Sequence, residues 1–444
     1  MPIYDLAVIG AGPGGFEAAL RARELGYSAA LIEKSDPGGV CLNTGCIPTK
    51  AFLASSRLLG RIRNARLYGL LASDVSAEPS ALVARKNQIV ATLRKGMLQA
   101  IQKSGVEWVS GSASFAGPGR LLVRSNESQR EIEAKNILIA AGAAPTPFPG
   151  VPFDGKKVLS STDVLELKTV PGQILIVGGG VIGVEFASFF NALGTEVTVV
   201  EMLDRIIATE EEEISRRLES ILTRKGIKIR TGEKVTREEI LKADTALIAV
   251  GRTPNIGGLG LEKAGVKVDR GAIAVDEFLE TSTPGIFAIG DVTNRTTGLA
   301  HGASAEGLRV VDNLKGPKLK MDTRAIPSAI YTDPEVAGVG LKEGGGEVRP
   351  EETVSCKVLF SSLGKAHVEG EPEGFLKMAA SPKTGKIVSV SALGAHVTEL
   401  IGEAALAIRL GLTVKDLAET VHPHPTESEI LQKVAQELAK KINF

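Results

Sequence analysis

The sequence predicts an α/β fold with two Rossmann-like dinucleotide-binding domains, followed by a C-terminal domain of different character. Three observations predict it. A strand, a glycine-rich turn, a helix, a second strand and an acidic residue succeed one another between Ile3 and Glu33. The same succession recurs from Ile174 to Glu201, displaced by 168 residues both at the first glycine, Gly10 to Gly178, and at the acid, Glu33 to Glu201. From Arg324 onward the chain turns to short alternating segments and a helix over 398–410.

In the first copy, Ile3-Tyr4-Asp5-Leu6-Ala7-Val8-Ile9 reads as a strand and Phe16–Leu25 as a helix. Between them Gly10, Gly12, Gly14 and Gly15 allow a tight turn and bring a pyrophosphate against the helix N-terminus. Glu33, ending the next strand, suits ribose hydroxyls. A lone glycine fingerprint is weak, but here strand, helix and acid stand in order. In the second copy, Ile174–Val177 leads into Gly178, Gly180 and Gly183, a helix through Leu193, the strand Glu196–Val200 and Glu201. Two fingerprints mean two dinucleotides, the arrangement of a flavoenzyme that passes electrons between FAD and a nicotinamide. A carboxylate at Glu201 hydrogen-bonds a free 2′-hydroxyl and repels a 2′-phosphate, which favours NAD over NADP; the next basic residue is Arg205.

A chain of 444 residues exceeds one ordinary core, so two to four domains are expected. Lysine plus arginine and aspartate plus glutamate both total 52, which leaves no charge bias toward nucleic acid or an anionic membrane. Three cysteines do not make a secreted disulfide framework. With no leader pattern before Ile3 and no apolar run of membrane-spanning length, a cytoplasmic enzyme is expected.

Two of the cysteines, Cys41 and Cys46, lie in the segment Gly38-Gly39-Val40-Cys41-Leu42-Asn43-Thr44-Gly45-Cys46-Ile47-Pro48-Thr49-Lys50. A regular helix would separate them by about 7.5 Å of rise, whereas a disulfide wants Cα atoms within about 7 Å. Bonding them needs a tightened, irregular turn, which the glycines and Asn43 allow, with a helix beginning near Cys46. By spacing alone the pair reads as a redox disulfide, as two buried thiols or as half of a zinc site. No second metal-binding pair accompanies it, since the remaining cysteine is Cys356, read as a small core residue in a strand.

The whole thirteen-residue segment resembles the active-site stretch of the flavin-dependent pyridine nucleotide-disulfide oxidoreductases, most closely of their dihydrolipoamide-oxidising branch. Other motifs extend the resemblance along essentially the entire chain. Ala141-Gly142-Ala143 is similar to the turn closing the first part of the family's FAD domain. Val250-Gly251-Arg252-Thr253-Pro254-Asn255 resembles a motif on the nicotinamide side. Thr283 to Asp291 matches the second FAD motif, and Ile326 to Glu335 the start of the dimerisation domain. His422-Pro423-His424-Pro425-Thr426-Glu427-Ser428-Glu429 matches the C-terminal His-Glu motif.

The resemblance implies FAD on Gly10, Gly12, Gly14, Gly15, Glu33, Lys50, Gly142 and Asp291, and NAD on Gly178, Gly180, Gly183, Glu201, Gly251 and Arg252. It implies a Cys41–Cys46 redox disulfide, His424 as base with Glu429 as its partner, and Lys50 and Glu185 beside the reactive flavin nitrogen. The expected cycle starts when dihydrolipoamide, deprotonated by His424, attacks Cys41. The reduced pair then passes electrons from Cys46 to FAD, and the flavin delivers hydride to NAD⁺. The histidine serves the disulfide of the other subunit, so a homodimer is expected. The expected partners are the lipoyl-bearing proteins of 2-oxoacid dehydrogenase or glycine-cleavage complexes, with no nucleic acid, membrane or metal.

The domains are placed at 1–148 (FAD, first part), 149–268 (NAD), 269–322 (FAD and central segment) and 323–444 (α+β dimerisation domain). Two departures from the family pattern stand out. The segment Glu233–Lys242 is shorter than the family's strand-rich equivalent, and the run Gly344-Gly345-Gly346 replaces part of a helix. Among rivals, a glutathione-reducing member would prefer NADPH and carry cationic substrate contacts. A mercury-reducing member would end in a cysteine pair where Asn443-Phe444 stands, and a soluble transhydrogenase would lack the disulfide. A mainly structural subunit of a 2-oxoacid dehydrogenase complex is the reading from another class, opposed by the intact Cys41, Cys46, His424 and Glu201.

Overall fold

The structure, a computed structural model, describes residues 3–125, 128–341 and 353–444. The glycine run at 344–346 lies outside the described residues. The chain divides into two units. The first comprises residues up to Ala51, Val83–Thr146 and Gly251–Asp322; the second comprises Phe52–Leu82, Pro147–Val250 and Thr323–Phe444.

The first unit is built on a parallel sheet in the spatial order Glu107–Ser110, Ala29–Glu33, Ile3–Ile9, Gln129–Ile139. The strand Ile286–Ala288 pairs in parallel with the last three residues of Gln129–Ile139, Ile137 to Ile139. The antiparallel hairpin Ser112–Gly117 and Arg120–Arg124 occupies the same edge over the first half of that long strand. Central parallel strands are covered on both faces and so are apolar on both. Along Ile3–Ile9, Ala7 and Ile9 join one core with Ile137, Ile139 and Phe115, while Leu6 and Val8 join another with Leu138, Ala18 and Ala22. Alternate residues thus anchor opposite layers, as a two-residue period requires. The helix Pro13–Glu24 lies on the second layer beside Ala300–Lys315. Small residues let them close: a Cβ on Gly14 would sit 2.6 Å from the Ala303 carbonyl oxygen.

In the second unit, a parallel sheet runs in the order Lys228–Arg230, Glu196–Val200, Gln173–Val177, Ala246–Ile248, Val158–Leu159. The shortened segment before Ala246 holds only a brief helix, Arg237–Lys242, capped by Thr236, whose hydroxyl accepts from the Glu239 N–H at 3.2 Å. The five parallel strands form despite that trimming.

The same unit carries a five-stranded antiparallel sheet ordered Ser328–Ile330, Glu335–Gly340, Ile387–Gly394, Phe375–Ala380, Val354–Leu359. Helices Val397–Leu410 and Glu429–Ile442 cover it. Ile430, Leu431, Val434, Ala435, Leu438 and Ala439 form the buried stripe of the last helix, at the three- and four-residue spacing of an amphipathic helix. Cys356 packs half-buried at the margin of this core.

The stretch 251–268 differs from its sequence assignment. Read as part of the nicotinamide domain, it belongs to the first unit, where Arg252–Pro254 pairs antiparallel with Ala143–Pro145 and the Phe115 N–H donates to the Leu259 carbonyl at 2.7 Å. Among the described residues, no helix is long and apolar enough to cross a membrane.

Candidate active site

The two glycine turns share one construction. Gly10 and Gly178 take φ of +100° and +109°, which a side chain would strain. Any Cβ on Gly15 or Gly183 would be driven into the carbonyl oxygen of Gly10 or Gly178. Each turn opens a helix, Pro13–Glu24 and Val181–Ala192, with neither a side-chain cap nor an acid in its first turn. The helix Glu212–Arg224 is built the other way, with Glu211 capping the Ile214 N–H at 3.1 Å and Glu212 and Glu213 behind it. Uncapped N–H groups at a glycine cradle are donors reserved for an anion, so both cradles fit the pyrophosphate of a dinucleotide.

Each acid is fixed by its own turn. The Ala11 and Ser35 N–H groups donate to the two oxygens of Glu33 at 2.8 and 2.9 Å. At Glu201 the donors are the Gly179 and Leu203 N–H groups, at 2.6 and 2.8 Å. The 168-residue offset therefore extends to individual hydrogen bonds. Arg205 is bound to Asp204 and to the Ala208 carbonyl, turned back on its own loop.

Cys41 lies in the short helix Gly39–Thr44 and Cys46 begins the helix Cys46–Arg63. Gly45, with φ −141° and ψ −110°, breaks the helix between them, which is the tightened turn the spacing demanded. The break is tied by Thr49, whose N–H and hydroxyl both donate to the Gly45 carbonyl, at 3.0 and 2.7 Å. The cysteines stand as a neighbouring dithiol. Hydrogen bonding to Cys46, then burial and the charge of Cys46, push the Cys41 thiol up, while the nearby Lys50 ammonium pulls it down. Among the described residues, no group of three or more His, Cys, Asp or Glu side chains could hold a metal ion. The turn also abuts the first cradle: Gly38 N–H donates to the Ala11 carbonyl at 2.8 Å, and a Cβ on Gly39 would lie 2.7 Å from the Gly12 Cα.

Asp291 follows the strand Ile286–Ala288 and takes a hydrogen bond from the Thr296 hydroxyl at 3.3 Å. The sequence reading gave Gly251 and Arg252 to the nicotinamide. The Arg252 guanidinium stands in the first unit, 3.7 Å from the Asp291 carboxylate and donating to the Ala143 carbonyl. Asn255 completes this brace, its backbone N–H donating to Gly142 and its side chain to Ala141, both at 2.9 Å. Gly142 itself has φ +65°.

Sequence reasoning missed Glu306. It is 2% exposed, and its carboxyl accepts from the Gly290 N–H at 2.7 Å, holding the turn that delivers Asp291. Burial pushes its pKa up against the Gly290 hydrogen bond, and the Asp291 charge adds to the rise. Removing it as Glu306→Ala leaves a buried N–H unpaired and is expected to cost about 1–3 kcal/mol in urea denaturation. Glu306→Gln, which does not titrate, is expected to flatten the pH dependence. A carboxyl with a raised folded pKa contributes stability that is lost as pH rises through that value. The glutamine variant should therefore gain on the parent at neutral pH relative to about pH 4; parallel curves would contradict this.

In the second unit His424 Nδ1 lies 3.0 Å from Glu429 Oε1, and the other Glu429 oxygen accepts from the Thr426 N–H at 3.0 Å. The histidine side chain is 76% exposed and that of Glu429 only 17%. The hydrogen bond from His424, then that from Thr426, holds the Glu429 carboxyl below the usual carboxylate range. His422 is already occupied: its side chain is 4% exposed and its two ring nitrogens sit 3.0 Å from the Thr420 carbonyl and from Glu403. Glu185 is buried on the helix Val181–Ala192, accepting from the Tyr331 N–H at 2.9 Å. Lys50 stands in the first unit with the cysteines.

Paired nucleotide cradles, vicinal thiols and a histidine–carboxylate pair define a flavin-type disulfide oxidoreductase, and the chain belongs to the pyridine nucleotide-disulphide oxidoreductase family. The family model matches residues 4–307, and the model of its dimerisation domain matches 326–435, which supports a homodimer. Among its relatives, a dihydrolipoyl dehydrogenase of Chlamydia pneumoniae is 39% identical, covering 96% of this chain and 95% of that protein. One from Bacillus subtilis is 38% identical, covering 96% and 97%. In solved structures, LpdA of Mycobacterium tuberculosis superposes with a TM-score of 0.89 at 27% identity, covering 98% of this chain and 99% of that one. The flavoprotein disulfide reductase RclA of Escherichia coli, in its Cu(II) complex, follows with 0.85 at 28%, covering 99% and 100%.

Proposed function

We propose that the chain oxidises protein-bound dihydrolipoamide to lipoamide and reduces NAD⁺ to NADH. The observation that carries this reading is the dithiol of Cys41 and Cys46 in a chain 38–39% identical over nearly its whole length to dihydrolipoyl dehydrogenases. In the oxidised enzyme the two sulfurs form a disulfide. His424, oriented by Glu429, takes the proton of one substrate thiol, and the thiolate attacks Cys41. The Cys41–Cys46 bond breaks, leaving its electron pair on Cys46. The second substrate thiol then displaces Cys41 from the mixed disulfide, so lipoamide leaves and two protein thiols remain.

The first cradle, with Glu33, Gly142, Lys50 and Asp291, holds FAD, and the second, with Glu201, holds NAD. Bound FAD supplies the two-electron relay between the dithiol and the nicotinamide. Arg252 acts on the flavin side by bracing Asp291. In this reading Lys50 and Glu185 each act on the flavin, and His424 serves the disulfide of a second copy. The partners are lipoyl-bearing subunits of 2-oxoacid dehydrogenase or glycine-cleavage complexes, in the cytoplasm.

The test is NAD⁺-dependent oxidation of dihydrolipoamide by the purified protein, with NADP⁺ and reduced glutathione as controls. NADH formation with dihydrolipoamide and NAD⁺ alone is the expected result. Equal rates with NADP⁺ would refute the assigned role of Glu201, and inertness toward dihydrolipoamide would refute the substrate.

A further inference from the structure

We propose that Arg94 is a positioning residue that sets the redox potential of the Cys41–Cys46 pair. The proposal rests on reading that pair as a redox couple. Arg94 belongs to the helix Pro79–Ser104, 51 residues along the chain from the turn it grips. Three of its nitrogens are engaged. Nε and Nη2 donate to Asn43 Oδ1 at 3.2 and 2.8 Å, and Nη1 lies 2.8 Å from Asp36 Oδ2. Asn43 stands between the two cysteines and passes the grip on, its Nδ2 donating to the carbonyls of Pro37 and Gly39 at 3.0 and 2.9 Å. A guanidinium can only donate, so it fixes which end of the amide faces it and leaves the NH₂ for the turn.

The clamp encloses Gly38 and Gly39, with φ of +102° and +56°, from both sides. It holds the helix Gly39–Thr44, whose six residues are too few to persist by their own hydrogen bonds. That helix carries Cys41. Its register against Cys46 therefore depends on ties from outside, and Arg94 and Asn43 supply them. A planar fork can satisfy Asp36 and Asn43 together, whereas the single ammonium of a lysine cannot reproduce that geometry.

Holding two thiols at close approach raises their effective concentration for each other and favours the disulfide over the dithiol. Loosening the clamp should make the disulfide easier to reduce. In a buffer of oxidised and reduced dithiothreitol, the protein dithiol passes two electrons and two protons to the cyclic disulfide of the reagent. Protein disulfide and reduced dithiothreitol result. The free protein thiols are then alkylated and counted by mass.

Arg94→Met is expected to shift this equilibrium about tenfold toward the dithiol, a potential about 30 mV less negative. Asn43→Ala should shift it in the same direction, and the double variant should shift it no further than the larger single effect. Arg94→Lys, the milder change, should move it by less with the same sign. Arg85→Met, on the same helix but bonded to the Ala51 carbonyl, should not move it. An unshifted potential in Arg94→Met or in Arg94→Lys overturns the proposal, as do additive shifts in the double variant. Should Arg94→Met not fold, Arg94→Lys and Asn43→Ala carry the test. If the unaltered protein forms no disulfide at any ratio, the redox reading itself fails and the proposal falls with it.

Discussion

Cys46→Ser is expected to abolish turnover of dihydrolipoamide with NAD⁺, a loss of about 10⁴-fold or more, while the protein stays folded and retains its flavin. The first half follows from chemistry. A serine hydroxyl forms no bond to sulfur that a substrate thiolate can exchange, so no route remains for two electrons to leave the substrate through this pair. The second half follows from position. Cys46 is half-buried at the start of a helix, where serine is well tolerated, and the first cradle is built from backbone at Gly10 to Gly15. Steady-state turnover and the absorbance of bound flavin check both halves. Preserved turnover would remove the pair from the reaction, and a colourless protein would sink the flavin assignment.

The second large effect is expected from His424→Gln. Glutamine keeps a donor within reach of Glu429 but cannot accept a proton, so the dithiol step should slow by about 10²- to 10⁴-fold. Oxidation of NADH by artificial electron acceptors, which needs no substrate thiol deprotonated, should change far less. Equal losses in both assays would contradict the base role. The pH dependence separates His424 from its partner. The Glu429 carboxyl is held low by the His424 hydrogen bond and then by Thr426. Its contribution is present above the ordinary carboxylate range and is lost only as pH falls through its depressed value. Loss of activity between neutral and mildly acidic pH is therefore not expected to come from Glu429.

The parts of this reading that were legible in the sequence are those written as local pattern. Ile3–Ile9 and Glu196–Val200 are short segments rich in apolar and β-branched residues, and their strands begin and end where the sequence reading puts them. The glycine turns announce themselves because only glycine fits at Gly15 and Gly183. His424 and Glu429 lie five residues apart, close enough for a motif to hold both ends of one hydrogen bond.

What stayed hidden depends on long-range packing. The strand Arg252–Pro254 has three residues, too few to show a period, and its partner Ala143–Pro145 lies more than a hundred positions earlier. Nothing local could tell that Arg252 would meet Asp291. Glu306 and Arg94 look like ordinary charges on helices. Only the approach of Ala300–Lys315 to the Gly290 turn, and of Pro79–Ser104 to Asn43, gives them work.

The exposure of His424 has a consequence for how the enzyme must be assayed. If this three-quarters exposed residue serves the disulfide of a second copy, as proposed, each catalytic centre is the joint property of two chains. Specific activity then ceases to be a constant of the protein and becomes a function of its concentration. On dilution below the dimer dissociation constant, dihydrolipoamide oxidation should decay faster than the flavin signal, because the chain keeps its colour but loses the histidine that its neighbour lends.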